Sequence, residues 1–178
     1  MARNELLRLF CALRLPEAAV DQLVVWQGEH LHGGRRVSRG NLHVTLAFLG
    51  RRPAEEVPAI SAELRAAAGG AGRIQFEPRR YRETRSVGMV LLDDAGGAAT
   101  ALAADLDERL ERLGVYRREG RPWLPHITVL RFRERPCLDP PPPALGPLSP
   151  SDAAVYSSVL RSGGALYDVL ASVALGGR

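Results

Sequence analysis

The chain has 178 residues, 46% of them apolar, which is enough for one compact domain or two small lobes sharing a core. Its formal charge of +4 makes it mildly basic, which neither demands nor excludes a long nucleic acid as partner. All 24 basic residues are Arg: the guanidinium fork fits phosphate bidentately, although GC-rich coding, which also favours Ala, Gly and Pro, accounts for a general Arg bias without any ligand.

Residues 8–16, RLFCALRLP, are a short apolar run stopped by Pro16 and predict a strand. Charges interrupt the apolar residues before and within it, so no secretion signal is expected. Cys11 in this strand and Cys137 far downstream have no metal-ligand spacing and read as thiols of a reducing compartment. Residues 16–32 open with Pro16, carry Glu17 and Asp21 early and His30 and His32 late, and stop at Gly33 and Gly34. That charge order complements a helix dipole and predicts a helix, with the two histidines as polar residues of its end. NLHVTLAFL (41–49) predicts a strand, 53–70 a helix ended by a Gly pair, and 72–81 with 85–92 a pair of strands. Residues 96–114 form an amphipathic helix with Leu102, Leu106, Leu110 and Leu113 on one stripe. HITVLRF (126–132) predicts another strand. The proline-dense stretch 135–150 excludes helix and central strand and predicts an extended surface loop. Residues 152–160 and 165–175, joined across RSGG, predict a β-hairpin. No apolar run approaches the roughly 20 residues of a membrane-spanning helix. The expectation is a soluble cytoplasmic protein.

The order of elements places a His-x-Thr strand after a helix in each half. It predicts an α+β fold with a weak internal duplication, two lobes each built of an antiparallel sheet backed by helices. Alternation puts Leu42, Val44, Leu46 and Phe48 on one face of the first such strand and His43, Thr45 and Ala47 on the other. In the second, Ile127 and Val129 take one face, and His126 and Thr128 the other. Two of the chain's four histidines thus occupy one repeated pattern. Each alone reads equally as an ordinary core or surface histidine. Together across a cleft they make an acid and a base, because imidazole titrates near pH ~6.5. The adjacent hydroxyls can donate to phosphate oxygens as charge builds on phosphorus. The chemistry this fits is cleavage or formation of a phosphodiester. A metal site would need a further ligand, and neither motif has a carboxylate or Cys within a few residues. A serine nucleophile lacks its Gly-x-Ser-x-Gly elbow.

The segments HVTLAFLG and HITVLRF resemble the paired His-x-Thr/Ser motifs of the 2H phosphoesterase superfamily, and within it the RNA 2',3'-cyclic phosphodiesterases, also called 2'-5' RNA ligases. RLFCALRLP is similar to the opening strand of that branch, RPWLPHITVLR to its second motif segment, and VYSSVLRSGGALYDVL to its closing hairpin. The resemblance covers nearly the whole chain and implies one bilobal unit, residues 1–178, with a pseudo-twofold cleft. It implies hydrolysis of RNA-terminal 2',3'-cyclic phosphate to a 2'-phosphomonoester, with 2'-5' ligation as the related reaction, no cofactor and no metal. The implied partner is an RNA end bearing the cyclic phosphate; a monomer is expected, since nothing in the sequence obliges a dimer. Carried over by position, His43 and His126 are the acid/base pair, with His126 activating water and His43 protonating the departing 3' oxygen. Thr45 and Thr128 hold the phosphate. Arg131 matches an Arg that binds phosphate or base, but simple alternation puts it on the face away from His126, so it needs a bend after Leu130. Phe10 is a candidate for stacking on a base as well as for core packing. Tyr156, Ser157 and Ser158 of the closing hairpin lie near the implied cleft. The second motif reads Val129-Leu130 where the family often has a smaller residue, a matter of packing. The tetraproline loop is long and stiff enough to influence which RNA ends enter. Two other functions fit the same residues: a non-catalytic module that binds RNA ends, and a phosphodiesterase acting on a small cyclic nucleotide derivative.

Overall fold

The computed structural model describes residues 5–176; residues 1–4 and 177–178, the ends of the unit expected over 1–178, lie outside the described residues. In chain order the elements are β1 (Leu6–Arg14), α1 (Glu17–His30), β2 (Arg35–Arg36), β3 (His43–Pro53), α2 (Val57–Gly69), β4 (Phe76–Glu83), β5 (Val87–Asp94), α3 (Ala98–Leu113), β6 (His126–Arg131), β7 (Asp152–Arg161) and β8 (Gly164–Val173). Each element expected from the sequence is present. The two-residue β2 is additional, too short to leave a pattern and hidden behind the Gly pair that ends α1.

The strands form an α+β arrangement in the order β4-β5-β6-β3-β1-β7-β8, with β2 on β6, and every pairing is antiparallel. The sheet has a seam. β3 and β6 meet at a single register pair, Val44 with Ile127. On one side of it lie β4, β5, β6 and β2, and on the other β3, β1, β7 and β8. These are the two lobes, joined edge to edge. Trp123, just ahead of β6, strengthens the seam by donating from Nε1 to the carbonyl of Thr45 at 3.0 Å.

The main core lies on one face. Leu9, Cys11 and Leu13 of β1 pack with Val44, Ile127 and Val155 and with α2 and α3. From α3, Leu102, Leu106 and Leu110 are buried, while Leu113 at the helix end is 38% exposed and leaves the stripe expected of it. Burying side chains of this kind contributes about 1.5–3 kcal/mol each. Cys11 is buried, which pushes its thiol up to about 12 and keeps it un-ionised. The opposite face of the sheet carries a second, smaller cluster of Phe10, Ala12, Ala154 and Tyr156, with Tyr167 packed against it.

Among the register irregularities of the sheet, two β-bulges beside the histidines break the alternation that the sequence implies. Cys11 and Ala12 are adjacent, yet they pair with Ala47 and Thr45, so β3 carries Leu46 as an extra residue. Gly88 and Met89 pair with Leu130 and Thr128, so β6 carries Val129 as an extra residue. Both bulges fall three residues after the histidine. Each leaves two consecutive residues in the core, Leu46 with Ala47 and Val129 with Leu130, and turns the next side chain to the other face. Phe48 and Arg131 are therefore positional counterparts. Ala47 and Phe48 occupy faces opposite to those expected, and Arg131 obtains its bend from the bulge.

The bulge of β6 is pinned from outside. The carbonyl of Val129 accepts from the Val37 amide at 3.0 Å and from the Gln27 side chain at 2.9 Å. The same Gln27 amide donates to the Val37 carbonyl at 3.0 Å. Gln27 is 2% exposed, and it fastens β2 and β6 to α1. Gly34 lets the chain approach this closely, since a Cβ there would stand 2.5 Å from the Arg131 carbonyl oxygen. Gln27→Leu keeps the bulk and removes the donors, so it is expected to cost about 1–3 kcal/mol. Thermal unfolding should show a Tm lower by about 2–4 °C per kcal/mol. An unchanged Tm would mean that the amide does not hold the segment.

Candidate active site

The seam generates the site. With Val44 opposite Ile127 in an antiparallel pair, position 43 lies across from 128 and position 45 across from 126. Val44 and Ile127 point into the core and are fully buried, so their neighbours on each strand must point the other way. His43, Thr45, His126 and Thr128 accordingly line one pocket of about 110 Å³, together with Arg131, Phe48, Phe10 and Tyr167. Ala12 pairs with Thr45, and Ala12 and Ala154 are the small residues beneath the cleft face.

The two histidines are held alike. His43 Nδ1 lies 2.8 Å from the Asn41 carbonyl, and His126 Nδ1 lies 2.7 Å from the Leu124 carbonyl. A carbonyl only accepts, so each Nδ1 carries a proton and donates it to the residue two positions back. Each Nε2 is then the nitrogen that titrates. The repeat thus extends from the motif to the bonds that fix its tautomers. In the neutral ring, His43 Nε2 accepts from the Thr45 hydroxyl at 3.0 Å.

Their surroundings differ. The His43 ring packs among Phe10 at 5.1 Å, Tyr167 at 5.6 Å and Tyr156 at 6.0 Å between centroids. Burial pushes its pKa down to about 4; the bond to the Asn41 carbonyl opposes this, and the charges of His126 and Arg131 add to it. The free site therefore holds a neutral His43 at neutral pH. The His126 bond to Leu124, by contrast, lies at an exposed position.

Phe10 touches the pocket but is not available to a base. It is 2% exposed and parallel to Tyr156 at 4.9 Å, with Tyr167 edge-on at 4.9 Å. It packs against His43, the core role that the sequence reading set beside stacking on a base. The exposed aromatic is Phe48, 48% exposed, with the Arg8 guanidinium 4.9 Å from its ring centre. Alternation hid Phe48, because the bulge at Leu46 leaves no mark in the sequence. Trp123 was also missed, since its role is a hydrogen bond across the seam. Tyr156 stands behind Phe10 and His43, Ser157 is buried, and Ser158 lines a recess beside the pocket. His30 borders a separate groove between α1 and the proline loop, where Trp26 Nε1 donates to the Pro141 carbonyl at 2.9 Å. Among the described residues no three His, Cys, Asp or Glu side chains gather as a metal-ion set, and no helix is long and apolar enough to cross a membrane.

Comparison with known proteins identifies the family. The model of the 2'-5' RNA ligase superfamily matches residues 14–159. The chain is 32% identical to the RNA 2',3'-cyclic phosphodiesterase of Escherichia coli, over 94% of this chain and 96% of that protein. It is 33% identical to the RNA 2',3'-cyclic phosphodiesterase of Thermus thermophilus, over 96% of this chain and 91% of that protein. Among solved structures, E. coli LigT complexed with 3'-AMP superposes with a TM-score of 0.80 at 28% identity, covering 96% of this chain and 99% of LigT. With the family model spanning most of its length and two relatives above 30% identity, this chain belongs to the 2'-5' RNA ligase superfamily.

Proposed function

We propose that this chain hydrolyses the 2',3'-cyclic phosphate at the 3' end of RNA, leaving a 2'-phosphomonoester and a free 3' hydroxyl. The observation that carries the reading is the twofold pair of His-Thr sets, each with Nδ1 anchored to a backbone carbonyl, around one small pocket. Two full-length relatives named RNA 2',3'-cyclic phosphodiesterase support the substrate. The continuous sheet supports reading residues 1–178 as one unit.

In the proposed step a water oxygen attacks phosphorus as its proton passes to His126 Nε2. The P–O3' bond breaks, and O3' takes a proton from His43 Nε2. In-line displacement puts water and O3' on opposite sides of phosphorus, with the ribose on the O3' side. The ring of Tyr167 packs edge-on beside His43, whereas Leu124, whose carbonyl holds His126, is 44% exposed. This favours His43 as the acid next to the nucleoside and His126 as the base next to solvent. Thr45, Thr128 and Arg131 hold the non-bridging oxygens, with Arg131 meeting the developing charge. An RNA 5' hydroxyl in place of water yields a 2'-5' linkage by the same displacement.

His43 must gain a proton to act as an acid, and the substrate supplies the reason. A phosphate monoanion about 4 Å away contributes about 4 kcal/mol at an effective dielectric near 20, or about 3 pKa units. That offsets burial and returns His43 to the neutral range. Protonated, Nε2 changes from acceptor to donor, and the Thr45 hydroxyl is released to a phosphate oxygen.

A short RNA ending in 2',3'-cyclic phosphate, incubated with EDTA, should be hydrolysed. His43→Ala and His126→Ala should each lower the rate at least ~10²-fold. Tight binding without turnover would favour an RNA-end-binding module, and turnover of mononucleotides alone a small-molecule phosphodiesterase.

The pH profile has a worked sign. In the free protein His43 takes up a proton only near pH 4, and a site with both rings protonated has no base. The acidic limb of kcat/KM should therefore fall near pH 4, and that of kcat should lie more than one unit higher, because bound phosphate raises His43. Coincident limbs, or a kcat/KM limb at pH 6 or above, would refute the link between burial and substrate charge.

A further inference from the structure

A recess opens directly off the catalytic pocket, sharing Phe10, Phe48, Arg131 and Tyr167 with it. Its walls bring together Arg8 of β1, Arg35 of β2 and Arg161 at the β7–β8 turn, beside Arg131. A neighbouring recess continues along Arg35, Arg131 and Arg161 towards Asn41. No Asp or Glu lines either recess or the pocket. Among the described residues, none of these four arginines takes part in an ion pair, although many of the chain's other arginines do. Converging cations that no protein carboxylate neutralises are poised for an anion.

The surroundings are built to keep them there. Arg35 sits in register with Arg131 on β6, and Gln27 fastens this segment from behind. Its guanidinium lies against the β7–β8 turn, where a Cβ on Gly164 would stand 3.5 Å from the Arg35 Cζ, and Gly164 has φ +125°. Asn41, whose carbonyl orients His43, donates from Nδ2 to the Ala165 carbonyl at 2.7 Å, so the turn bearing Arg161 is tied to the catalytic histidine. Ser158 lines the recess, is 9% exposed, and has a buried hydroxyl with no hydrogen-bond partner among the described residues. An unmet hydroxyl among arginines with no carboxylate partner is a second polar group of this recess suited to an anion.

We infer that Arg8, Arg35, Arg161 and Ser158 form a subsite for a second phosphate, the internucleotide phosphate on the 5' side of the terminal nucleotide. This deepens the proposed function, on which it rests, by naming the substrate class: a chain of at least two nucleotides rather than a mononucleoside cyclic phosphate. With the cyclic phosphate between the histidines and the preceding phosphate among the arginines, the terminal nucleoside spans the wall formed by Phe48 and Tyr167. The Arg8 guanidinium over Phe48 completes a stacking platform of the kind used for single strands.

The test compares adenosine 2',3'-cyclic phosphate with a trinucleotide ending in 2',3'-cyclic phosphate, on the wild type, Arg35→Ala, Arg161→Ala and Ser158→Ala. The wild type should prefer the trinucleotide in kcat/KM. Arg35→Ala and Arg161→Ala should each shrink that preference about tenfold, mainly through KM, and Ser158→Ala by a smaller factor. Arg35→Lys should restore part of it. Fluorescence anisotropy with a labelled trinucleotide ending in 2'-phosphate reads binding without turnover. Each Arg→Ala change should flatten the slope of log K against log salt by about 0.7. Equal losses on both substrates, or an unchanged salt slope, would overturn the subsite. Arginine-dependent binding of the trinucleotide with no hydrolysis of either substrate would retain the subsite and reject the hydrolytic reading.

Discussion

One backbone register pair, Val44 with Ile127, decides where the chemistry of this protein can sit. The two strands pair nowhere else along their register, and the Trp123 bond to the Thr45 carbonyl adds a second tie across the seam. Antiparallel pairing about one point has local twofold symmetry. It sets His43 across from Thr128 and Thr45 across from His126, whatever the rest of the fold does. Because Val44 and Ile127 are anchored in the core, the four functional side chains have only the other face left to them. A slip of one residue in either strand would carry that strand's histidine into the hydrophobic core, where its polar nitrogens would lack partners.

The same symmetry is then broken where function needs difference. Both strands bulge at the third residue past the histidine, but the side chain that each bulge delivers is Phe48 in one lobe and Arg131 in the other. One gives an aromatic face and the other a fixed cation. The histidines diverge too. His43 is walled by three aromatic rings and its pKa is lowered to about 4, whereas His126 is held by the carbonyl of the exposed Leu124. Two copies of one motif thus sit in different surroundings, the asymmetry that the proposed division into acid and base draws on.

How much of this was legible follows from what leaves a mark in sequence. Strong periodicity and terminal signals marked every long element, and the repeated His-x-Thr pattern marked the pocket, because strand alternation is local. The bulges were not legible. An extra residue in a strand changes no composition, so Phe48 and Ala47 were placed on the wrong faces and Arg131 lacked a route to the cleft. Parity left Phe10 with two roles, core packing or stacking on a base, because it does not report that Tyr156, Tyr167 and His43 lie against the ring. The pair Arg35–Arg36 was lost behind Gly33-Gly34, where a helix stop masked the start of β2. Gln27, Trp123 and Asn41 act through hydrogen bonds between segments distant in the chain, and no local spacing encodes those partners.

The central claim is that both imidazoles serve one phosphorus atom. A crystal structure of the protein with a nucleoside 2',3'-cyclic vanadate, whose five-coordinate vanadium stands in for phosphorus in mid-displacement, tests this most directly. The account predicts vanadium between the rings, with His43 Nε2 within hydrogen-bond distance of the apical oxygen belonging to the ribose. His126 Nε2 should be equally close to the opposite apical oxygen, with Thr45, Thr128 and Arg131 on the equatorial oxygens. A vanadate seated on one histidine alone, or held away from the β3–β6 seam, would contradict it.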